Sequence, residues 1–380
     1  MNIPLLDLQT QYQTIAAELE TAILRVARSG RYILGPEVEV LEQEIAQYCN
    51  TKYAVGVSSG SDALLVALMA LDIGPGDEVV TTPYSFFATV GAISRVGARP
   101  IFVDIDPDTC NMNVNLVRTA LSSKTRAIIP VHLFGQCVAM NELIEAADGI
   151  PIIEDAAQAI GAEIYGQRAG SFGLCGTFSF FPSKNLGTLG DAGMVVTNDG
   201  ALAERLRMLR NHGSPGNYHH PLIGGNFRLD AIHAAILRAK LVHLDRWTNQ
   251  RQANAARYRR LFASQDLLDW VELPVERANR HIYNQFVIRV EAARRDVLKS
   301  YLADHGVATA VYYPIPLHLQ GCFSSLGYQP GAFPESERAA QETLALPVYP
   351  ELTAGQQDYI VACIRDFFHN EVSMMASGTR

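Results

Sequence analysis

The sequence predicts an α/β fold built on a mostly parallel sheet and followed by a smaller α+β unit. Between residues 52 and 200, seven short runs rich in Val, Ile, Phe and Thr are bounded by Gly, Pro or Asp. Several are separated by segments with helical spacing. Apolar strands that alternate with helices indicate a parallel sheet covered on both faces. Ligands bind at the carboxyl ends of strands in such sheets, so these ends hold the candidate functional residues.

The predicted elements divide the chain into two units. The seven strand-like runs are YAVGVS, DEVVTTP, RPIFVDI, RAIIPVHLF, IPIIEDAA, GTFSFF and AGMVVTN, and helical segments include SDALLVALMALDI and NELIEAADG. A pattern without Gly or Pro from about 229 to 263 predicts one long helix that joins the units. Beyond it, HIYNQFVIRV and VATAVYYPIP are predicted strands, and RDVLKSYLADHG and SERAAQETLA are predicted helices. We therefore predict a large domain of residues 1–245, including an N-terminal arm, and a small α+β domain of residues 246–380.

Composition excludes several classes of function. The 380 residues are 48% hydrophobic and carry a net charge of −8 without a block of Lys or Arg, so nucleic acid is not an expected partner. Six scattered cysteines without a C-x-x-C pair argue against a zinc site or a disulfide framework, and they suit a reducing compartment. The start of the chain lacks the pattern of a signal peptide, and apolar runs are too short to span a membrane. We expect a soluble, cytoplasmic protein without a bound metal.

Two of the strand ends offer groups with more than one interpretation. In SSGSDALLVALMAL, Gly60 and Ser61 open a helix whose N-terminus either binds a phosphate or is capped by its own Ser and Asp side chains. In TTPYSFFATV, Phe86 or Phe87 either stacks on a planar ring or fills the core. The motifs G-x-G-x-x-G and G-x-x-x-x-G-K-[ST] do not occur, so dinucleotide and P-loop folds lack their defining feature.

Two further strand ends present charged side chains. IPIIEDAAQAIGA delivers Asp155 to a strand end, with Gln158 three residues later, and such a carboxylate either caps a helix or faces a ligand. In FSFFPSKNLGTLGDAG, Lys184 follows a strand that contains Ser179 and precedes several glycines. Desolvation lowers the pKa of a lysine in such a setting and exposes its lone pair. An amine, a carboxylate, an aromatic wall and a phosphate site together match the needs of pyridoxal phosphate.

The chain resembles the sugar aminotransferases of the DegT/DnrJ/EryC1/StrS family, which depend on pyridoxal phosphate. The resemblance runs from IPLLDLQTQY to LALPVYPEL and rests on SSGSDALLVAL, PYSFFATV, PVHLFGQ, IEDAAQAIGA, FSFFPSKNLGTLGDAG, LRNHGS, GGNFRLDAIHAAIL and YYPIPLHLQ. It implies the PLP-dependent transferase fold of type I. That fold has a mostly parallel seven-stranded sheet with helices on both faces and a smaller α+β C-terminal domain.

The resemblance also implies roles for the residues that bind the cofactor. Lys184 matches the lysine that forms the Schiff base and shuttles protons, and Asp155 matches the partner of the pyridinium nitrogen. Gln158 matches a residue near the phenolic oxygen, and Phe86 matches the stacking aromatic. The contacts to the phosphate are implied to come from Gly60, Ser61, Ser179 and, across a dimer interface, Asn226.

Four residues match positions on the substrate side of the family's site. Arg228 is similar to a cation that binds the nucleotide diphosphate, and Tyr312, Tyr313 and His318 resemble residues contributed by the small domain. Tyr312 as a core residue and His318 as an exposed loop residue remain alternatives. The sequence departs from the family pattern at Phe227, where a small or polar residue is expected, so substrate contacts near it are in question. Ser61 replaces a more usual threonine and keeps the hydroxyl.

The function implied by the resemblance is transamination in amino-sugar biosynthesis, for a polysaccharide or an antibiotic. L-Glutamate would donate an amino group to a dTDP- or UDP-linked keto-deoxysugar in a homodimer with shared active sites, with pyridoxamine phosphate as the intermediate form of the cofactor. PVHLFGQ, SGSDAL and YYPIPLHLQ are more similar to 3-aminotransferases than to 4-aminotransferases. A sugar dehydratase of this fold has histidine in place of Lys184. A non-catalytic sensor would show a degenerate site or an added DNA-binding module, and the sequence contains neither.

Overall fold

Strands and helices alternate along the first half of the chain, as the sequence predicts. The computed structural model describes residues 1–216, 218–277 and 280–377, with side chains described up to residue 369. Its helices are α1 (Leu8–Ser29), α2 (Pro36–Tyr48), α3 (Gly60–Ala70), α4 (Phe87–Arg95), α5 (Val117–Ala120), α6 (Met140–Ala147), α7 (Gly200–Leu209), α8 (Ala231–Leu241), α9 (Leu244–Ser264), α10 (Ala292–Asp304), α11 (Pro334–Glu342) and α12 (Ala354–Ser377). Its strands are β1 (Tyr53–Val57), β2 (Glu78–Thr81), β3 (Arg99–Phe102), β4 (Thr125–Ile128), β5 (Ile153–Asp155), β6 (Glu163–Ile164), β7 (Gln167–Arg168), β8 (Cys175–Ser179), β9 (Gly193–Thr197), β10 (Val271–Glu272), β11 (Phe286–Val290) and β12 (Thr343–Leu346).

Seven strands form the central sheet in the order β3-β2-β4-β5-β8-β9-β1. The pairs β3–β2, β2–β4 and β5–β8 are parallel, and parallel bridges from Ile128 to Ile152 and from Val131 to Asp155 join β4 to β5. β9 runs antiparallel to both of its neighbours, β8 and β1. Each of the seven predicted runs supplies one strand, so the predicted mostly parallel seven-stranded sheet is confirmed.

Helices cover both faces of this sheet, as predicted. In β9, Met194 and Val196 pack with residues of α2 and α8, whereas Val195 packs with residues of α3 and α7. This alternation follows from the period of two along a strand, and it explains why three consecutive residues of the strand, 194–196, are apolar. The two apolar layers are the core of the large unit.

The prediction of one continuous helix over 229–263 is wrong, because the helix is interrupted between α8 and α9. α8 ends at Leu241 and α9 begins at Leu244, with Val242 at the break 77% exposed. α8 packs against α1 and α2, whereas Ala255, Tyr258 and other residues of α9 belong to the core of the small unit. Leu244 and Trp247 at the start of α9 still pack with α8, but the rest of the α9 apolar face packs in the small unit, so packing overrides the uninterrupted helical pattern.

The small unit is an antiparallel sheet, β10-β11-β12, packed against α9, α10 and α12. The run VATAVYYPIP is not a strand, since it has only isolated bridges at Val307 and Ala310. The N-terminal arm reaches this unit: Ile3 is buried in its core, donates its N–H to the Gly306 carbonyl at 2.8 Å and accepts from the Ala308 N–H at 2.9 Å. We propose the boundary of the two domains at residues 245 and 246, with the arm crossing between them.

Throughout the described ranges, every helix is either too short or too polar to span the hydrocarbon core of a lipid bilayer.

Candidate cofactor and active site

Several of the predicted site residues lie at one edge of the central sheet. β5 ends at Asp155, which pairs in parallel with Thr177 of β8, and β8 ends two residues later at Ser179. The segment after β8 leads to Lys184, and α3 begins at Gly60 beside the same strand end. The carboxyl edge of the sheet therefore holds the amine, the carboxylate and the helix N-terminus that the sequence singles out.

Asp155 is a buried carboxylate with two hydrogen bonds. Its side chain is 5% exposed. The Thr89 hydroxyl donates to Oδ2 at 2.7 Å and the Ala157 N–H donates to Oδ1 at 3.2 Å. Burial raises the pKa of Asp155, and these hydrogen bonds and the charge of Lys184 offset part of that rise. The carboxylate is thus held in fixed orientation where a cationic group would stabilise its charge.

Glu154, the other carboxylate at this strand end, is structural. Its carboxylate accepts three backbone N–H groups within residues 170–173, each at 2.7 Å, and binds Nε2 of His132 at 2.9 Å. His132 Nδ1 accepts the Val138 N–H at 3.1 Å, so Nε2 holds the hydrogen. Strand alternation sends Glu154 and Asp155 to opposite faces, and only Asp155 faces Lys184.

Lys184 lies in a tight turn that follows β8. Its N–H donates to the Phe181 carbonyl at 2.9 Å, and a Cβ at Gly187 would lie 2.4 Å from the Pro182 carbonyl oxygen, so the turn folds onto itself. Burial lowers the pKa of Lys184 to about 8, although the charge of Asp155 raises it. At neutral pH the amine is therefore unprotonated far more often than an ordinary lysine. A desolvated amine that is often unprotonated at neutral pH is what a reactive lysine requires.

A cradle of small residues lies at the N-terminus of α3. A Cβ at Gly60 would lie 2.5 Å from Cβ of Ser179, and one at Gly193 would lie 2.3 Å from the Ser59 carbonyl oxygen. The helix end is therefore pressed against the ends of β8 and β9, with Ser61 half-buried beside it. Ser59 caps the helix by accepting the Asp62 N–H at 3.0 Å, and the Ser58 and Ser59 hydroxyls donate to the Asp62 carboxylate, so self-capping is observed. The N–H groups of Gly60 and Ser61 still lack partners within the 11-residue helix and lie at the positive end of its dipole. Together with the serine hydroxyls they suit a phosphate.

The two adjacent phenylalanines take different positions. Phe87 stacks on Phe323, with ring centroids 5.5 Å apart. Phe86 precedes the first turn of α4 and is 56% exposed, with its ring centroid 6.1 Å from that of Tyr313. Phe87 is 47% exposed as well, so the two side chains differ in their ring contacts: Phe87 stacks on Phe323, whereas Phe86 lies beside Tyr313.

Gln158 links the large unit to the small one. Its Oε1 accepts a backbone N–H from the turn at 133–135 at 2.7 Å, and its Nε2 donates to the Tyr313 hydroxyl at 3.0 Å. Burial raises the pKa of Tyr313, so this hydroxyl stays protonated. The neighbouring Tyr312 is half-buried, and its carbonyl accepts the Tyr84 hydroxyl at 2.5 Å. The structure therefore brings Gln158 and Tyr313 together, with Tyr312 beside them.

The GGNFRLD segment runs beside β1 and the phosphate cradle. The Ser58 N–H donates to the Phe227 carbonyl at 3.0 Å, which fixes this approach. Asn226 is exposed, and Arg228 donates from Nη1 to Asn211 at 2.9 Å. Among the described residues, the buried Nε of Arg228 has no hydrogen-bond partner.

His318 lies in a separate apolar cluster and is not an exposed loop residue. Its ring packs edge-on against Phe102 and Phe333, and Nε2 hydrogen-bonds to Glu337 at 3.0 Å. Burial lowers the pKa of His318. It does not join the hydrogen-bonded group around Asp155, and its predicted contact with substrate stays a prediction.

Sequence reasoning missed Thr89, which orients Asp155. Thr89 lies three residues after Phe86 in PYSFFATV, one helical turn further along, so its spacing was the available signal. Its partner is 66 residues away in the chain and is visible only in the folded molecule.

The arrangement fits pyridoxal phosphate. The cradle around Gly60 leaves space only for hydrogen at that position, the amine of Lys184 has a lowered pKa, and Asp155 is buried where a protonated ring nitrogen needs a charged partner. With a mostly parallel sheet that holds these groups at its carboxyl edge, the fold and site define an aminotransferase of fold type I.

The chain belongs to the DegT/DnrJ/EryC1/StrS aminotransferase family, whose model matches residues 13–365. A "pleiotropic regulatory protein" from Geobacillus stearothermophilus is 50% identical over 97% of this chain and 100% of its own length. The dTDP-3-amino-3,4,6-trideoxy-alpha-D-glucose transaminase of Streptomyces venezuelae is 44% identical over 96% of each chain. The predicted family and enzyme class are confirmed.

A solved structure agrees with this assignment. The crystal structure of S. venezuelae DesV in complex with a ketimine intermediate matches with a TM-score of 0.92 and 44% identity. The match covers 96% of this chain and 98% of that one. The predicted fold type is therefore confirmed over nearly the whole chain.

Proposed function

We propose that the protein is a pyridoxal-phosphate-dependent aminotransferase that moves an amino group from L-glutamate to C3 of a dTDP- or UDP-linked keto-deoxysugar. The observation that carries the proposal is the pair of Lys184, whose pKa is lowered to about 8, and the buried carboxylate of Asp155. A lysine with this pKa accepts and returns protons near neutral pH, which transamination requires in both half-reactions. Amino-sugar biosynthesis, for a polysaccharide or an antibiotic, is the setting we propose.

Each residue of the pair has a defined task. When bound, pyridoxal phosphate supplies an electron sink for the carbanion formed at the substrate carbon. Lys184 moves the proton at its Nζ, and it is desolvated so that the free amine is populated. Asp155 keeps a negative charge against the ring nitrogen, and Thr89 keeps that carboxylate in place at 2.7 Å.

The remaining proposed contacts surround this pair. Gly60, Ser61 and Ser179 bind the phosphate in the cradle at the start of α3, Phe86 stacks on the ring and Gln158 lies near its phenolic oxygen. Arg228 is proposed to bind the diphosphate of the nucleotide, and its unpartnered Nε supports this role because a guanidinium binds phosphate through several N–H groups. The substrate-side residues proposed from the small unit are Tyr312, Tyr313 and His318.

We also propose that the enzyme is a cytoplasmic homodimer whose sites are shared. Phe86, Phe181 and Leu189 are all about half exposed, as are Tyr32 and Ile33 near the start of α8. Apolar side chains clustered around a site favour cover by another protein surface. Asn226, exposed in a single chain, is then the residue that each copy contributes to the phosphate of the other.

The second candidate function is a non-catalytic regulator, because the Geobacillus relative is described as a regulatory protein. The intact pair of Lys184 and Asp155 argues against it, since a sensor has no need for a desolvated amine beside a carboxylate. Within catalysis, the alternative is amination at C4 by the same groups.

The test begins with the visible absorption of the purified protein, before and after L-glutamate is added. We expect a yellow protein that bleaches with glutamate, and a Lys184→Ala variant that does neither. Lys52→Ala, at an exposed lysine, is the matched control and behaves as the wild type. The bleached protein is then mixed with each member of a panel of dTDP- and UDP-linked 3-keto and 4-keto sugars. The sugar that accepts the amino group is expected to restore the yellow colour. A wild-type protein that stays colourless with added pyridoxal phosphate would support the regulator.

A further inference from the structure

Helix α8 turns one face toward the loop of residues 184–190, which contains the reactive lysine. That face is formed by His233, Leu237 and Lys240, which are spaced by four and three residues and therefore lie along one side of the helix. Leu237 is buried in the same apolar cluster as Leu186 of the loop. The helix thus supports the loop by packing as well as by polar contacts.

Two hydrogen bonds join the ends of this face to the loop. His233 Nδ1 and the Thr188 hydroxyl lie 3.1 Å apart, and Thr188 is buried. Lys240 Nζ donates to the Gly187 carbonyl at 2.7 Å. Three residues separate Gly187 from Lys184, and the tight packing of Gly187 against the Pro182 carbonyl leaves this turn little room to change shape.

Lys240 is itself a buried cation. It is 3% exposed, and it also donates to Gln11 Oε1 of α1 at 3.1 Å. Burial lowers the pKa of Lys240 to about 8, and the charge of Glu351, which follows β12, raises it. A buried ammonium is costly unless its hydrogen bonds are satisfied, so a neutral side chain would be the simpler way to fill this space. The chain instead places three donor hydrogens where the loop, the N-terminal helix and the small unit meet.

We propose that this face of α8, and Lys240 above all, positions Lys184 by fixing the backbone of the loop of residues 184–190. Lys240 is a positioning residue and not a catalytic one, because its contacts are to the Gly187 carbonyl and to Gln11. Through the Gly187 carbonyl it keeps the Lys184 amine desolvated beside Asp155. The inference rests on the proposed function in assigning this task to catalysis, whereas the environment of the amine can be measured without any reaction.

The decisive experiment titrates Lys184 in the cofactor-free protein by competitive labelling with acetic anhydride and mass spectrometry. The chain has five lysines, and the exposed Lys124 and Lys299 serve as internal references. We expect a labelling midpoint near pH 8 for Lys184 in the wild type. In Lys240→Met the midpoint moves upward by about one pH unit, because a loosened loop admits water to the amine. An unchanged midpoint in a folded Lys240→Met protein would overturn the proposal.

Three further variants separate positioning from general stability. Thr188→Val removes the second hydrogen bond to α8 and is expected to shift the Lys184 midpoint in the same direction, so it decides the matter if Lys240→Met fails to fold. Lys240→Gln keeps a donor and restores part of the shift. Arg238→Gln, also on α8, breaks the ion pairs with Glu37 and Glu44 of α2 and is expected to leave the Lys184 midpoint unchanged. A shift of the same size in Arg238→Gln would mean that α8 stability, and not the face toward the loop, is responsible.

Steady-state kinetics supply the catalytic readout. We expect Lys240→Met to lower kcat about tenfold while KM for both substrates stays within about twofold, because misplacement of the amine affects proton transfer more than binding. A rise in KM as large as the fall in kcat would contradict a positioning role. If the wild type lacked aminotransferase activity, the proposed function would fall, and the labelling midpoints would still decide whether Lys240 positions Lys184.

Discussion

Adjacent carboxylates on β5 have different tasks because the strand sends them to opposite faces. Asp155 keeps two hydrogen bonds and faces Lys184, whereas Glu154 gathers three backbone N–H groups and His132. The dipeptide alone shows no more than two acids at a strand end. The placement of Lys184 and Asp155 at one edge of the sheet was predictable because motif and strand position agree, and their roles stay predictions. Thr89 and Lys240 were not, because each acts on a residue more than 50 positions away.

The first prediction concerns Glu154. Glu154→Gln replaces a carboxylate by an amide whose NH2 group faces backbone N–H donors. The free energy of unfolding is therefore expected to fall by about 3 kcal/mol. Urea denaturation measures the change. Glu204→Gln, which removes an exposed ion pair with Arg207, is the matched control and changes stability by less than about 0.5 kcal/mol. Equal effects of the two substitutions would show that burial of Glu154 is unimportant.

The second prediction concerns the charge beside the reactive amine. The negative charge of Asp155 raises the pKa of Lys184, so Asp155→Asn is expected to lower the labelling midpoint of Lys184 below pH 8. The same variant loses transamination, because the ring nitrogen loses its charged partner. Competitive labelling in the cofactor-free protein measures the midpoint, with Asp77→Asn as control. A midpoint that rises in Asp155→Asn would mean that solvent entry, and not charge, dominates there.

At the scale of elements, the seven strands were predictable because each lies in a short run rich in Val, Ile, Phe or Thr that is bounded by Gly, Pro or Asp. The break between α8 and α9 was not, because it has no Gly or Pro and arises from the existence of two cores. The prediction of a strand over VATAVYYPIP was wrong for a related reason. Its β-branched and aromatic residues pack between elements, with Tyr312 and Tyr313 beside the cluster that contains Tyr84, and do not pair in a sheet.

The third prediction concerns the contact between β3 and α11. The Asp104 carboxylate accepts the N–H groups of Glu335 and Ser336, each at 2.9 Å, and thus caps a helix of the other unit. Asp104→Ala is expected to cost about 1 kcal/mol and to accelerate amide exchange throughout α11. Hydrogen exchange read by mass spectrometry checks this.

The matched control for that prediction is Asp199→Ala. Asp199 caps α7 with two similar hydrogen bonds, at 2.8 and 3.0 Å, but stays within the large unit. Its removal should accelerate exchange in α7 and leave α11 unchanged. Unaltered exchange of α11 in Asp104→Ala would show that other contacts hold the two units together.

At the scale of the whole molecule, the resemblance indicated the fold and the family. The resemblance did not predict that the N-terminal arm and the small unit share one core, because that core joins residues some 300 positions apart. The proposed dimer belongs to this scale as well, since Asn226 is exposed in a single chain and gains a task only in an assembly.

The fourth prediction tests the shared site by complementation. Asn226→Ala is expected to release cofactor during gel filtration, because one phosphate contact is lost. When Asn226→Ala and Lys184→Ala chains are unfolded and refolded together, mixed dimers contain one site with both native residues. Random mixing then restores about a quarter of the wild-type activity. Homodimers of each variant, refolded alone, are the controls, and failure of the mixture to regain activity would contradict a shared site.

The position of Ile3 has a consequence for synthesis of the chain. The core partners of Ile3 lie between residues 255 and 368, and its backbone pairs with residues 306 and 308. During translation Ile3 therefore stays without its backbone partners until about 300 further residues have been made. The small unit completes its core only after that stretch has emerged, so a late step of folding encloses a segment that was made early. A tag fused directly ahead of Ile3 would interfere with that closing step and would spare the sheet that folds before it.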